Sequence, residues 1–73
     1  MAFEAQQLID NIVKEMAKRL MRDKQFTLRE ALETVYYSQL YEKLTDLSTG
    51  LYYQSPLYNY EYLMHEMEYG KIA

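Results

Sequence analysis

Between Gly50 and Gly70 the chain gathers the side chains with the most chemical capacity. The stretch holds its single histidine, His65, the glutamates Glu61, Glu66 and Glu68, and six of its nine tyrosines. Glu61, His65 and Glu68 stand at i, i+4 and i+7, a spacing that puts three ligands for a divalent cation on one side of a helix. Such a site closes only when a second element adds donors, and the chain has no other histidine to offer. His65-Glu66 also lacks the second histidine that a zinc-protease helix requires. The expectation is a surface histidine beside carboxylates, with no metal and no cofactor. Ser38, Ser48 and Ser55 each sit where a cap or turn would use the hydroxyl, and one histidine among tyrosines builds no nucleophile–base pair. The chain has no glycine-rich phosphate loop and no cysteine. No catalytic residue is expected, and the chain reads as a non-enzyme.

What the stretch does offer is an aromatic stripe. At roughly 100° per residue, Tyr58, Tyr62, His65 and Tyr69 line one side of a helix. Nearly opposite runs an apolar stripe of Leu57, Tyr60, Leu63, Met64 and Met67, with Glu61, Glu66 and Glu68 between the two. A surface helix ordinarily shows charge opposite its apolar face, not three tyrosines. Tyrosine buries ring area while its hydroxyl stays satisfied, which favours it at interfaces. Three readings stand open: a sandwiched helix with both faces internal, a face for a second copy or another protein, and a pocket for a small aromatic molecule. The functional reading that follows is non-catalytic protein–protein interaction, with the chain a homo-oligomer, most simply a homodimer, that also serves as a regulatory or partner subunit. The face would comprise Tyr58, Tyr62, His65 and Tyr69 with Tyr52 or Tyr53, and acidic residues on its rim would steer binding.

The elements that must position this face are legible from caps and periodicity. Ser55-Pro56 reads as a helix start, serine accepting from an orphan N–H and proline filling the first helical position. Gly70, with Lys71 behind it, reads as the stop, so the helix covers about 56–69. A first helix covers about 3–23, with Leu8, Ile9, Ile12, Val13, Met16, Ala17, Leu20 and Met21 forming an apolar arc wide enough to touch two neighbours. After the short connection Lys24-Gln25-Phe26, Thr27-Leu28-Arg29-Glu30 is a capping box, with Phe26 placed to staple onto Ala31 or its neighbours. The following helix covers about 28–46. Its first half buries Leu28, Ala31, Leu32 and Val35; its second half buries Tyr36, Leu40, Leu44 and Leu47 on a different side. A break near Tyr37-Ser38, with Ser38 capping the second piece, resolves that mismatch. Ser48-Thr49-Gly50 is turn chemistry, Leu51-Tyr52-Tyr53 reads as extended, Leu47 and Leu51 would pin this loop, and Lys71-Ile72-Ala73 reads as a frayed tail. The fold class is all-α, a single domain arranged as a small bundle of three main helices.

Charge is uneven along the chain. Lys14 to Arg29 contains Lys14, Lys18, Arg19, Arg22, Lys24 and Arg29 against Glu15 and Asp23, whereas Glu30 to Tyr69 is acidic apart from Lys43. The basic face of the first helix, Lys14, Lys18, Arg19 and Arg22, supports an alternative reading as a nucleic-acid-associated regulator tracking phosphates. The net charge of −3 and the placement of the tyrosines in the acidic half count against a nucleic-acid partner. With 49% hydrophobic residues the chain is too apolar for a disordered segment at this charge. No apolar run reaches membrane-spanning length and no signal-peptide pattern opens the chain, so the expectation is a cytoplasmic protein with no membrane partner. With 73 residues and no disulfide to staple it, oligomerisation is the common remaining way to add buried area.

The C-terminal half also carries a recurrent pattern: Tyr37-Ser38, Tyr41, Leu44 and Asp46, then Thr49-Gly50-Leu51-Tyr52, Ser55-Pro56, Tyr58, Tyr60, Leu63 and Glu66. This pattern resembles a group of short uncharacterised bacterial helical proteins of similar length, a domain of unknown function. The resemblance implies association with toxin–antitoxin-like modules and hence a protein-binding partner role. It implies no catalytic residue.

Overall fold

In the computed structural model, residues 3–70 are described, with side chains from Glu4 onward. The tail expected to fray, Lys71 to Ala73, lies outside the described residues. Four α-helices form: α1 (Phe3–Asp23), α2 (Leu28–Tyr36), α3 (Gln39–Thr45) and α4 (Pro56–Tyr69). No strand occurs among the described residues, so the all-α expectation holds, but with four helices instead of three. The break expected near Tyr37-Ser38 is complete. Ser38 takes an extended conformation, its hydroxyl donates to the Val35 carbonyl at 2.6 Å, and it accepts from the Tyr41 N–H at 3.0 Å. One serine thus closes α2 and opens α3.

The other local signals act as their chemistry dictates. The Thr27 hydroxyl accepts from the Glu30 N–H at 3.1 Å while the Glu30 carboxylate accepts from the Thr27 N–H at 2.8 Å, a full capping box. Ser55 accepts from the Tyr58 N–H at 3.0 Å, with Pro56 at the first helical position. Gly50 and Gly70 both take the left-handed conformation, φ 72° and 76°, that costs glycine nothing. Gln25, in the α1–α2 connection, takes it too at φ 56°, without glycine's exemption.

Packing centres on α1, which lies most extensively against α2 and α4, both from its own chain. Ile9, Ile12, Val13, Met16, Ala17 and Leu20 of α1 meet Ala31 and Val35 of α2, Leu40 and Leu44 of α3, and Tyr60 and Leu63 of α4 in one core. Full burial of each large aliphatic side chain stabilises by about 1.5–3 kcal/mol. Phe26, Leu32, Tyr41, Leu51 and Tyr52 pack against its edge. The radius of gyration, 11.4 Å, matches that of a compact chain of this length.

Several expected core positions turn outward. Leu8 and Met21 lie at the margins of the α1 arc and stay exposed, and so do Leu28, Tyr36 and Leu47, and Leu57 and Met67 of α4. The segment expected to be extended, Leu51–Tyr53, is instead a single 3-10 turn, preceded by another at Leu47–Thr49. Gly50 joins the two turns, so the ten residues between α3 and α4 coil tightly where an extended run would have reached outward. Leu51 pins this loop to the core; Leu47 does not.

Candidate interaction face

The orientation of α4 is set by polar side chains. Asn59 is fully buried, and its amide donates to the carbonyls of Leu51 and Ser55, each at 3.1 Å, tying the helix to the loop before it. Its Oδ1 has no hydrogen-bond partner among the described residues. Glu66 reaches α3, where its two oxygens accept from the Gln39 N–H at 2.8 Å and the Leu40 N–H at 3.0 Å. With Ser38 on the Tyr41 N–H, the first three amides of α3 are all satisfied, and a carboxylate stands at the positive end of that helix. Tyr60 reaches the end of α1, donating to Asp23 at 2.8 Å beneath Arg19, whose guanidinium carbon lies 5.9 Å from the ring centroid. Arg22 donates to the same carboxylate at 2.7 and 3.2 Å. Arg22 first and Tyr60 second hold the Asp23 carboxyl down at about 2, while burial, then Asp23, pushes the Tyr60 phenol up to about 12.

These three anchors rotate α4 away from the orientation read from its apolar stripe. Asn59 and Glu66, with Leu63 between them, occupy the inward side; Leu57 and Met67 are displaced outward, and Met64 sits at the margin. Glu66, expected between the stripes, belongs to the fold. The error has a physical cause, since periodicity counts apolar residues and cannot see that a buried amide and a half-buried carboxylate have partners waiting for them.

On the far side, the described residues of the chain leave the tyrosines uncovered: Tyr58 is 43% exposed and Tyr69 61%, with Tyr62 and His65 half-buried. The rings pair along the helix. Tyr58 and Tyr62 have centroids 5.1 Å apart with hydroxyls at 3.4 Å, and His65 and Tyr69 lie 4.5 Å apart at 44°. The Tyr62 hydroxyl beside it pushes the Tyr58 phenol above its ordinary value, so it remains a neutral donor at physiological pH. Tyr58, Glu61, Tyr62 and His65 line a shallow hollow of about 310 Å³, with Glu68 further along the helix. Tyr52 and Tyr53 pair with each other at 4.3 Å, Tyr53 outermost; Tyr52 instead packs on the core edge. Comparison with protein-family models, with curated proteins and with solved structures found no match to this chain. The geometry alone carries the functional reading.

The basic stripe is divided by the fold. Arg22 is engaged by Asp23, Arg19 lies half-buried over Tyr60, and Lys18 pairs with Glu15 at 3.4 Å. Lys14 and Lys18 border the space between α1 and α2. Among the described residues no group of three acidic, histidine or cysteine side chains is placed to hold a metal, and no helix is long and apolar enough to cross a membrane. The aromatic face offers ring area, hydroxyl donors and an acidic rim.

Proposed function

We propose that the chain is a non-catalytic, cytoplasmic protein–protein interaction module, a regulatory or antitoxin-like partner subunit, and that the α4 face of Tyr58, Tyr62, His65 and Tyr69 is its recognition surface. One observation carries the reading: α4 turns a buried amide and a half-buried carboxylate inward and leaves Tyr58 and Tyr69 outward. Of this face only Tyr62 packs on the core; Tyr58 and Tyr69 stand exposed, and tyrosine supplies contact area with little rotamer entropy to lose. Glu61 and Glu68 give the face an acidic border, so the complementary surface carries lysine or arginine. Nucleic acid fits poorly, because phosphates would meet those carboxylates before the rings.

The test is retention of a partner by the tagged chain in its native host, with nuclease treatment. Tyr62 also packs on the core, so Tyr58→Asp/Tyr69→Lys is the cleaner variant: both positions are exposed, and each new charge suits its end of the helix. A protein that survives nuclease on the wild-type chain and is lost on this variant supports the proposal. Equal retention by both, or retention only through nucleic acid, overturns it.

A further inference from the structure

A second apolar surface lies away from the aromatic face. Leu28, Leu32 and Tyr36 recur at i, i+4 and i+8 along α2, with Leu28 56% exposed and Tyr36 exposed as well. They border two adjoining depressions of about 300 and 430 Å³, the first walled on its other side by α1. Tyr37, 87% exposed, stands at the edge of the second. We propose that this groove is a self-association face, closed by the same groove of a second copy running antiparallel to it. This goes beyond the partner-binding role of α4 and uses none of its residues.

The arrangement of charge along the groove identifies the occupant. Lys18 and Arg29 lie within about two helical turns of the α1–α2 connection, whereas Asp10 lies about four turns away along α1. The strip therefore has a cationic end and an anionic end. Two copies related by a two-fold axis bring identical grooves together either parallel or antiparallel. The parallel arrangement superposes the cationic ends. The antiparallel one sets Asp10 of each copy against Lys18 of the other, two pairs for one contact, and lays Leu28 toward Tyr36 across the axis with Leu32 at its centre. Lys14 lies mid-groove, so the two-fold axis brings it toward Lys14 of the other copy; both stems can cover apolar wall while the ammonium groups turn apart into water, and the two flanking pairs outweigh their repulsion. Lys18, Arg29 and Asp10 already have partners in their own helices, Glu15 at 3.4 Å, Glu33 at 3.1 Å and the Gln6 amide at 2.8 Å, but these contacts are exposed and weak enough to exchange. A single strip supplying both members of each pair fits a copy of itself. The resulting dimer carries two α4 faces, so partner binding would be bivalent.

Sedimentation equilibrium of the full chain, at low and high salt, tests this. The wild-type chain should show a monomer–dimer equilibrium that weakens with salt. Asp10→Lys makes both ends cationic and should weaken the dimer by about tenfold or more. The exchanged pair Asp10→Lys/Lys18→Glu reverses the strip and should restore affinity to within about threefold of wild type. Leu28→Arg should leave a monomer. All the altered positions are exposed, and circular dichroism verifies that each variant stays helical. A chain that is monomeric at every concentration overturns the proposal, as does an exchanged pair no tighter than Asp10→Lys. A dimer dissolved by Tyr58→Asp/Tyr69→Lys and untouched by the groove variants moves self-association to α4 and also overturns it. Loss of partner retention with an intact groove dimer would bear on the α4 reading alone.

Discussion

α1 and α4 meet in the same core but sort their side chains in different ways. α1 buries Ile9, Ile12, Met16 and Leu20 and turns Asn11, Lys14, Lys18 and Arg22 to solvent. α4 buries Tyr60 and Leu63 beside a fully enclosed asparagine, turns a glutamate onto a neighbouring helix, and exposes Tyr58 and Tyr69. The first helix is held by apolar area, which is non-directional and tolerant of detail. The last is held also by hydrogen bonds to fixed partners, which set its rotation and leave Tyr58 and Tyr69 outside the core. The difference teaches where to look for function in a chain this small: on the helix whose exposed face carries what folding would ordinarily have buried.

The largest expected effect tests the α1 side of this contrast. Leu20→Ala removes a fully buried side chain and should cost about 3 kcal/mol in urea denaturation, a large part of the stability of so short a chain. Tyr58→Asp/Tyr69→Lys, by contrast, should leave the urea midpoint near that of the wild type. A similar loss from both would erase the distinction between a folding helix and a presenting one.

An intermediate effect tests the anchors of α4. Asn59→Leu keeps the branched shape but removes the amide's bonds to the Leu51 and Ser55 carbonyls, which retain the Gln54 and Asn59 backbone N–H, and should cost about 1 kcal/mol. Glu66→Gln retains one acceptor for α3 but loses the charge at its N-terminus, at about 1 kcal/mol. If Asn59→Leu instead stabilised the chain, apolar packing and not the amide would set the rotation of α4.

The smallest effect is a pH dependence at the α1–α4 junction. The folded-state value of Asp23, about 2, lies below the ordinary 3.8, so its contribution is present above that ordinary value and lost as pH falls through about 2. Tyr60 works in the opposite sense. Raised to about 12 from 10.0, it contributes below its ordinary value and loses that contribution as pH rises through about 12. Asp23→Asn should therefore flatten the acid limb of the stability profile, measured by urea midpoints across pH, and an unchanged acid limb would show that the junction adds nothing.

Most of the fold was legible because most of its signals are local. Thr27 with Glu30, Ser38, Ser55-Pro56 and Gly70 each act within a few residues, and all form as their chemistry requires. The rotation of α4 was not legible, since Glu66 finds its partners 26 and 27 residues back and Asn59 finds one of its own in a loop whose 3-10 form depends on Gly50. The aromatic stripe was readable as a stripe, and the sequence left open whether it faced in or out. The α1–α2 groove went unseen because Leu28 and Tyr36 share the apolar spacing of core residues, and only the position of α2 on α1 shows that they overshoot the core.

The most direct measurement of whether α4 presents its tyrosines is residue-resolved tyrosine labelling, read by mass spectrometry, on the chain alone and in the complex recovered from its host. In the free chain Tyr58 and Tyr69 should label readily and Tyr60 should resist; in the complex Tyr58 and Tyr69 should become protected. Tyr58 and Tyr69 as reactive in the complex as in the free chain would contradict an α4 recognition face.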